Sequence, residues 1–460
     1  MMIDNHPSSF RDPSGFIFQK DDHIYRCVNQ RYSNEYDTLM NSGLYEELTS
    51  RSLLIPHQEV AFTEEFSHQY KIIQPGFIEF ISYPYEWSFS QLKDAALVTL
   101  EIQMTAMKFG MSLKDATAYN VQFHKGKPVF VDTLSFEILE EKPWVAYKQF
   151  CQHFLGPLLL MKHIDPGVHK ILTEYLDGIP LQVLSRMLPL KTWTNIGTLI
   201  HIHLHARSQN KYAHVHSDEI KQKTTQSMSY NQLLGFITSL KSAVTSCKLH
   251  DVKTEWGDYY NFHNYSKRGF QHKKQPISEY VDQVQPHSVL DIGGNVGEFS
   301  KILTDKATLV INTDIDPLAV EANYQEIKKT NISNMVVMMN DITNPPSGIG
   351  LLNQERESFL DRVHGVDLVM ALALIHHLAI SNNIPFKNIA RMFSTISENL
   401  IIEFVPKSDS HVKTLLQTRA DIFDSYNKES FEKNFGSFYE IIKTTNITES
   451  ERFLYLMKRK

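Results

Sequence analysis

Asp291, Asp314 and Asp341 each stand at the end of an apolar run of strand length, in SVLDIGG, LVINTDID and MVVMMND. Asp291 leads into Gly293, Gly294 and Gly297, and then into a helical pattern. A strand-to-helix turn built on glycine brings bare backbone close to a ligand and aims helix N–H groups at its polar end, because no Cβ blocks the approach. Asp314 follows Asp291 by 23 residues, near the spacing at which a carboxylate accepts both ribose hydroxyls. Asp341 stands where a carboxylate reaches the exocyclic amine of an adenine. Three carboxylates at three successive strand ends outline a nucleoside. A nicotinamide dinucleotide also uses a glycine turn and a ribose carboxylate, but Asp291 ahead of the first glycine would repel a pyrophosphate.

With VLDIGGNVG, INTDIDP, MMND and ALALIHHL, residues 256–460 resemble the class I S-adenosylmethionine-dependent methyltransferases. The resemblance implies a doubly wound, seven-stranded Rossmann-like sheet with an antiparallel terminal hairpin. It implies that Asp291, Gly293 and Gly297 contact the methionine moiety of the cofactor, Asp314 the ribose and Asp341 the adenine. Gly294, Asn295, Ile315, Ile342 and Ala371 complete the expected cofactor contacts; Asn295 stands where the family often has glycine. Methyl transfer asks the protein to hold a nucleophile in line with a sulfonium and, for some acceptors, to remove a proton. His376 and His377 follow the fourth strand, where an imidazole could act as base near neutral pH or simply start a helix. Glu403 ends the fifth strand and could bind substrate or cap a turn. The aromatics of WGDYYNFHNYS (256–266) could form a lid or pack in a core.

A second constellation lies in SLKDATAYNVQFHKGKPVFVDTLSFE, with Asp115, Asn120 five residues on, and Asp132 twelve further. Phosphoryl transfer needs this order: a carboxylate to orient a hydroxyl, then an amide and a second carboxylate to hold magnesium. The segment resembles the catalytic loop and metal aspartate of the protein kinase and aminoglycoside phosphotransferase superfamily, over roughly residues 10–225. By that resemblance Asp115 is the base and Asn120 and Asp132 the metal ligands, with ATP and magnesium expected only if the module is active. Leu113-Lys114 replaces the usual His-Arg or His-Gly, no phosphate-covering glycine loop is visible, and Arg26 occupies the place of a nucleotide-binding lysine. Arginine is not equivalent there.

The elements that must position these residues follow from periodicity. GFIF and HIYRCVN flank a polar turn and predict a hairpin, and residues 31–54 one or two helices. FIEFISY (77–83) predicts a strand, Ser90 to Gly110 a long amphipathic helix, NVQFH and KPVFVD two short strands, and the sequence to about Leu249 mostly helix. After Val289, strands and helices alternate, the signature of a parallel sheet buried on both faces. FYEIIKTTNI and RFLYLMKR predict a closing hairpin. The expected organisation is a kinase-like α+β two-lobed domain over 1–225, a helical connector over 226–255 and an α/β methyltransferase domain over 256–460. His201, His203 and His205 alternate, yet the local pattern is helical, so an ordinary packed pair is expected rather than a metal site.

A chain of 460 residues with 42% hydrophobic, 21% charged, 19 Gly and 18 Pro is neither disordered nor fibrous. Its net charge of −6 supplies no global field toward nucleic acid or anionic lipid, and no nucleic-acid partner is expected. Cys27, Cys151 and Cys247 form no paired motif, and the start MMIDNHPSSFRDPSG lacks a secretory pattern, so a cytoplasmic location is expected. The longest apolar runs are about half the roughly 20 residues of a membrane-spanning helix, so no transmembrane segment is expected. SYPYEWSFSQLKDAAL (82–97), DGIP (177–180) and EFVPKSD (403–409) extend the resemblance to a bacterial family of two-part methyltransferases that includes nodulation-like proteins. The expected function is methyl transfer from S-adenosylmethionine to a small-molecule, saccharide or glycan acceptor. A bifunctional kinase-methyltransferase and a binding scaffold with an inactive kinase-like module are the alternatives, and the acceptor atom and oligomeric state are not encoded in any visible motif.

Overall fold

The computed structural model describes residues 5–21, 23–61, 66, 68–212, 227–249, 267–417 and 420–460. It divides into two compact units, Met1–Val252 with Gly348–Glu357, and Lys253–Ser347 with Ser358–Lys460. The expected lid segment 256–266 and the end of the connector, 250–255, lie outside the described residues.

In the first unit, β1 (Gly15–Lys20) and β2 (His23–Val28) form the expected antiparallel hairpin. They join β3 (His57–Glu59) and β4 (Lys71–Pro75) in a sheet ordered β1-β2-β4-β3. Between β2 and β3, two helices, Ser33–Asn41 and Leu44–Ser50, are separated by Gly43, whose φ of 88° is open to glycine at little cost. The strand expected over 77–83 is corrected by the structure. The ladder uses Lys71–Pro75 instead, and the following segment satisfies its backbone on side chains, with Ser82 N–H donating to Gln122 Oε1 at 3.0 Å and Tyr83 N–H to Glu86 Oε2 at 2.8 Å. β-rich composition makes no strand without a neighbouring ladder. The long helix Phe89–Lys108 starts on Ser88, whose hydroxyl accepts from Gln91 N–H while the Gln91 side chain returns the bond, a capping box. After it come β5 (Met111–Leu113), β6 (Val121–His124), β7 (Lys127–Phe130) and β8 (Phe136–Ile138), paired β5-β8 and β6-β7.

The remainder of this unit is helical. His201, His203 and His205 lie where widened helical turns continue into a regular helix. His201 Nδ1 lies 3.0 Å from the Tyr147 hydroxyl, His203 bridges the hydroxyls of Ser185 and Thr192 at 2.8 and 2.9 Å, and His205 stacks on Tyr147.

Residues 348–357, which the sequence reading places inside the second domain, pack with the first unit. Arg11 reaches Glu355 with two nitrogens, at 3.0 and 2.7 Å. Arg356 lies 4.4 Å above the Tyr119 ring, and Glu357 N–H donates to the Tyr83 hydroxyl. Ile349 and Arg356 exchange backbone hydrogen bonds and close the loop on itself.

The second unit carries β9 (Ser288–Ile292), β10 (Leu309–Asp314), β11 (Met335–Met339), β12 (Leu368–Ala371), β13 (Asn399–Phe404), β14 (Tyr439–Asn446) and β15 (Phe453–Arg459). They form one seven-stranded sheet in the order β11-β10-β9-β12-β13-β15-β14, in which β15 alone runs antiparallel to the other six strands. The central strands β9, β10, β12 and β13 are buried almost throughout, which explains their continuous apolar runs. The chain reverses direction in this order between β9 and β12, so the ends of these two strands and of β10 face a crevice of the kind that binds ligands in open α/β sheets. Among the described residues, no helix is long and apolar enough to cross a membrane. The three cysteines are buried and free.

Candidate active site

The turn after β9 is shaped by what a side chain would strike. A Cβ on Gly294 would stand 2.0 Å from Asn312 Nδ2 and 2.6 Å from Asp291 Oδ2, and one on Gly297 2.6 Å from Asn323 Nδ2, with φ of 76° besides. Gly293 and Gly294 both donate their N–H to the Thr313 carbonyl, which ties the turn to the end of β10. Asn295, in the glycine position of the resemblance, holds φ of 49°, a conformation that asparagine tolerates better than most residues.

Asp291 is buried beneath this turn. Its Oδ2 accepts from the Ser300 hydroxyl at 2.5 Å, and Asn312 Nδ2 donates to that hydroxyl at 2.8 Å. Burial pushes the Asp291 carboxyl up to about 7; the Ser300 bond and the Lys273 charge oppose the rise and the Asp314 charge adds to it. Asp314 ends β10 and is pushed up to about 6 by burial, against the pull of the N–H groups of Asp316 and Asn295. Its Oδ2 accepts from Asn295 N–H and its Oδ1 from Asp316 N–H, both at 2.9 Å. A carboxylate held by backbone N–H groups in this way keeps lone pairs for hydroxyl donors. Asp341 is half-buried and accepts from Thr343 N–H and Oγ1. Beside it, Asn340 is 6% exposed, and neither its amide nitrogen nor its oxygen has a hydrogen-bond partner among the described residues. Ile315 is half exposed, whereas Ile342 and Ala371 are buried.

The glycine turn, the carboxylates at the ends of β9 and β10 and the orphaned amide beside Asp341 fit S-adenosylmethionine. A cationic methionine end would meet Asp291, a diol Asp314, and a base edge the Asn340–Asp341 pair.

The expected catalytic residues behave differently from one another. Glu403 is fully buried: its Oε2 accepts from Lys273 Nζ at 2.6 Å and from Ala373 N–H at 2.8 Å, and Arg452 Nη1 lies 3.6 Å from Oε1. Arg452 also donates to Asp409 at 2.8 Å. Glu403 thus holds the loop that follows β12, and Lys273, Arg452 and Asp409 complete a buried charge cluster. Sequence reasoning missed these three because their partners are remote in the chain, and it missed Ser300 and Asn312, 9 and 12 residues from their partners, because no motif marks a hydroxyl and an amide that meet only when the turn folds. His376 is 2% exposed and its Nδ1 has no hydrogen-bond partner among the described residues. Burial holds its pKa well below the usual imidazole range, with the charges of His377 and Arg452 adding. His377 is half-buried, and burial, with the charges of His411 and Arg452, pushes it down to about 4. Burial favours the neutral form of both rings.

In the first unit, the structure brings Asp115, Asn120 and Asp132 together. Burial raises the Asp115 carboxyl, and the nearby Asp132 charge adds to the rise. Asn120 Nδ2 donates to Ser135 Oγ at 3.0 Å, and that hydroxyl donates to Asp132 Oδ2 at 2.6 Å. Asp132 Oδ1 accepts from Leu134 N–H at 2.9 Å and faces Arg26 Nη1 at 2.7 Å. A magnesium ion does not fit this arrangement, because a guanidinium already occupies the cation's place against Asp132.

No family model matches the chain. Its structure has limited likeness to magnesium protoporphyrin IX methyltransferase (ChlM) from Synechocystis PCC 6803 with bound SAM, at 16% identity over 46% of this chain and 87% of that one, TM-score 0.31. The N-methyltransferase NodS from Bradyrhizobium japonicum WM9 in complex with S-adenosyl-L-homocysteine gives 11%, 44%, 92% and 0.33. The bifunctional kinase-methyltransferase WbdD gives 17%, 45%, 42% and 0.30, so the match spans less than half of that chain. None of these likenesses is close enough to bear on chemistry. In sequence the chain is 32% identical to the nodulation protein NoeA of Rhizobium meliloti (strain 1021), over 98% of this chain and 95% of that protein. Similarity of that degree along the whole length makes this chain a member of the NoeA family.

Proposed function

We propose that the second unit binds S-adenosylmethionine and transfers its methyl group to a small saccharide or glycan acceptor, which the first unit selects, in the cytoplasm. The observation that carries the cofactor reading is Asp314: its carboxylate is fixed at the end of β10 by the N–H groups of Asn295 and Asp316, beside the glycine turn of β9. When bound, the cofactor supplies an electrophilic methyl group on a sulfonium. The chain's own residues orient and exclude water. Gly293, Gly294 and Gly297 admit the ligand to the backbone, Asp314 takes the ribose hydroxyls, and Asp291 neutralises the cationic end. Glu403, held by Lys273, sets the position of the loop leading to His376 and His377. His377, the less enclosed of the two, is the residue proposed to face the acceptor; a ring held neutral can accept a hydrogen bond from a hydroxyl or amine. Most of the catalysis then comes from positioning.

Calorimetric titration of S-adenosylhomocysteine into the full chain tests the reading. Micromolar binding, about 8 kcal/mol, that Asp314→Asn weakens at least tenfold is the expected result. Wild-type protein that takes up neither S-adenosylhomocysteine nor S-adenosylmethionine would overturn it. A labelled-methyl screen of saccharide acceptors then tests the acceptor class.

A further inference from the structure

Arg26 lies on β2 with its side chain 11% exposed, and it divides its two terminal nitrogens between two carboxylates. Nη2 stands 2.5 Å from Asp12 Oδ2, and Nη1 2.7 Å from Asp132 Oδ1; Nε has no partner among the described residues. Asp12 belongs to the segment that leads into β1, and Asp132 to the turn after β7. One guanidinium therefore ties together two pieces of chain.

Two further contacts fasten the same segment. Lys114, in the position before Asp115, donates from Nζ to Ser14 Oγ at 2.6 Å and lies 4.3 Å above the Tyr32 ring. Gly15 is pressed so closely on its neighbours that a Cβ would stand 2.0 Å from the Cys27 carbonyl oxygen and 2.6 Å from Leu134 Cδ1. Residues 12–15 thus lie packed between β2 and the turn that carries Asp132. A cation approaching Asp132 Oδ1 would have to break its ion pair with Arg26, whose other terminal nitrogen is held by Asp12. Two of the three residues that depart from the usual kinase pattern, Arg26 and Lys114, make these contacts.

We propose that Arg26 is a built-in counter-ion that takes the place of a divalent metal in the first unit, so that this unit folds without metal and performs no phosphoryl transfer. The carboxylates of Asp12 and Asp132 form a cation site closed by the chain's own side chain. Removing that side chain leaves two carboxylates turned toward one space. A divalent cation then becomes a stabilising ligand by mass action.

The experiment uses the full chain, wild type, Arg26→Gln and Arg26→Gln/Asp132→Asn, in thermal melts with EDTA, magnesium chloride or manganese chloride, and in calorimetry with magnesium and a non-hydrolysable ATP analogue. Wild type is expected to melt at one temperature in all three media and to give no saturable heat with the nucleotide. Arg26→Gln is expected to melt roughly 4 °C or more lower in EDTA, to recover as magnesium or manganese is raised, and to lose that recovery in the double variant. If Arg26→Gln does not fold, the wild-type titration still decides. Saturable magnesium-dependent nucleotide binding by wild type, or a folded Arg26→Gln protein indifferent to both cations, would overturn the proposal.

Discussion

Lys273 Nζ and Glu403 Oε2 stand 2.6 Å apart, with side-chain exposures of 1% and 0%. Lys273 comes from the helix Lys267–Val284, and Glu403 from β13, 130 residues later. Burial lowers the lysine pKa and the Glu403 charge opposes that. The same ammonium charge opposes the rise of the Asp291 carboxyl, and Glu403 also accepts from Ala373 N–H in the loop after β12.

Removing the lysine head strands a carboxylate. Lys273→Met should cost about 3–5 kcal/mol of stability, the range for breaking a buried pair from one side. Lys273→Met/Glu403→Gln should cost less than the single change, because no unpaired charge remains. Urea denaturation of both variants checks this; a single-variant loss under about 1 kcal/mol would mean that Glu403 is held by Ala373 and Arg452 alone.

Asp291 and Asp314 determine a pH dependence. Both carboxyls are raised in the folded state, to about 7 and about 6, above an unfolded value near 3.8. From about pH 4 upward the folded protein keeps protons that the unfolded chain releases, so these groups' contribution to stability is full below that pH and falls as pH rises toward 7. A cationic ligand favours the ionised carboxylates, so binding of S-adenosylmethionine should tighten across the same window and release protons. Calorimetry at pH 6 in buffers of different ionisation heat measures that release. Asp291→Asn should reduce it, and affinity that is flat from pH 5 to 7.5 would contradict the charge assignment.

Gly294→Ala tests the turn by shape alone. Its Cβ would fall 2.0 Å from Asn312 Nδ2 and push on Asp291, and overpacking of this kind costs about 1–3 kcal/mol. The expected signature is lost binding of S-adenosylhomocysteine in a protein that still melts cooperatively. Unchanged affinity would show that the turn can yield without consequence.

Glu355 organises residues 348–357. It receives the Arg11 guanidinium at 2.7 Å and the Leu351 N–H at 2.7 Å, and its side chain is 3% exposed. Glu355→Ala should speed amide exchange in that segment and in residues 9–12, with a stability cost of about 1–3 kcal/mol. Exchange confined to its wild-type rate would show that Arg356 on Tyr119 suffices to hold the loop.

The sequence by itself determined the parts of this protein whose physics is local. Strands β9 to β13 were readable as apolar runs because both faces of a parallel sheet are buried, and the placement of Asp291, Asp314 and Asp341 at or just beyond strand ends was readable with them. The hairpin of GFIF and HIYRCVN and the long helix expected over Ser90 to Gly110 were likewise local, whereas the break at Gly43 and the capping box at Ser88 came from the structure. The tertiary structure alone decided what depends on pairing across distance. Residues 77–83 have strand composition, yet the ladder went to Lys71–Pro75, because a strand exists only against a neighbour. Glu403 looks like a site carboxylate in sequence, but Lys273 and Arg452 enclose it. Asp132 looks like a metal ligand, but Arg26, 106 residues earlier, holds its oxygen. A carboxylate's chemistry is set by the charge that faces it and by its access to water, and both are properties of the fold rather than of the neighbouring letters.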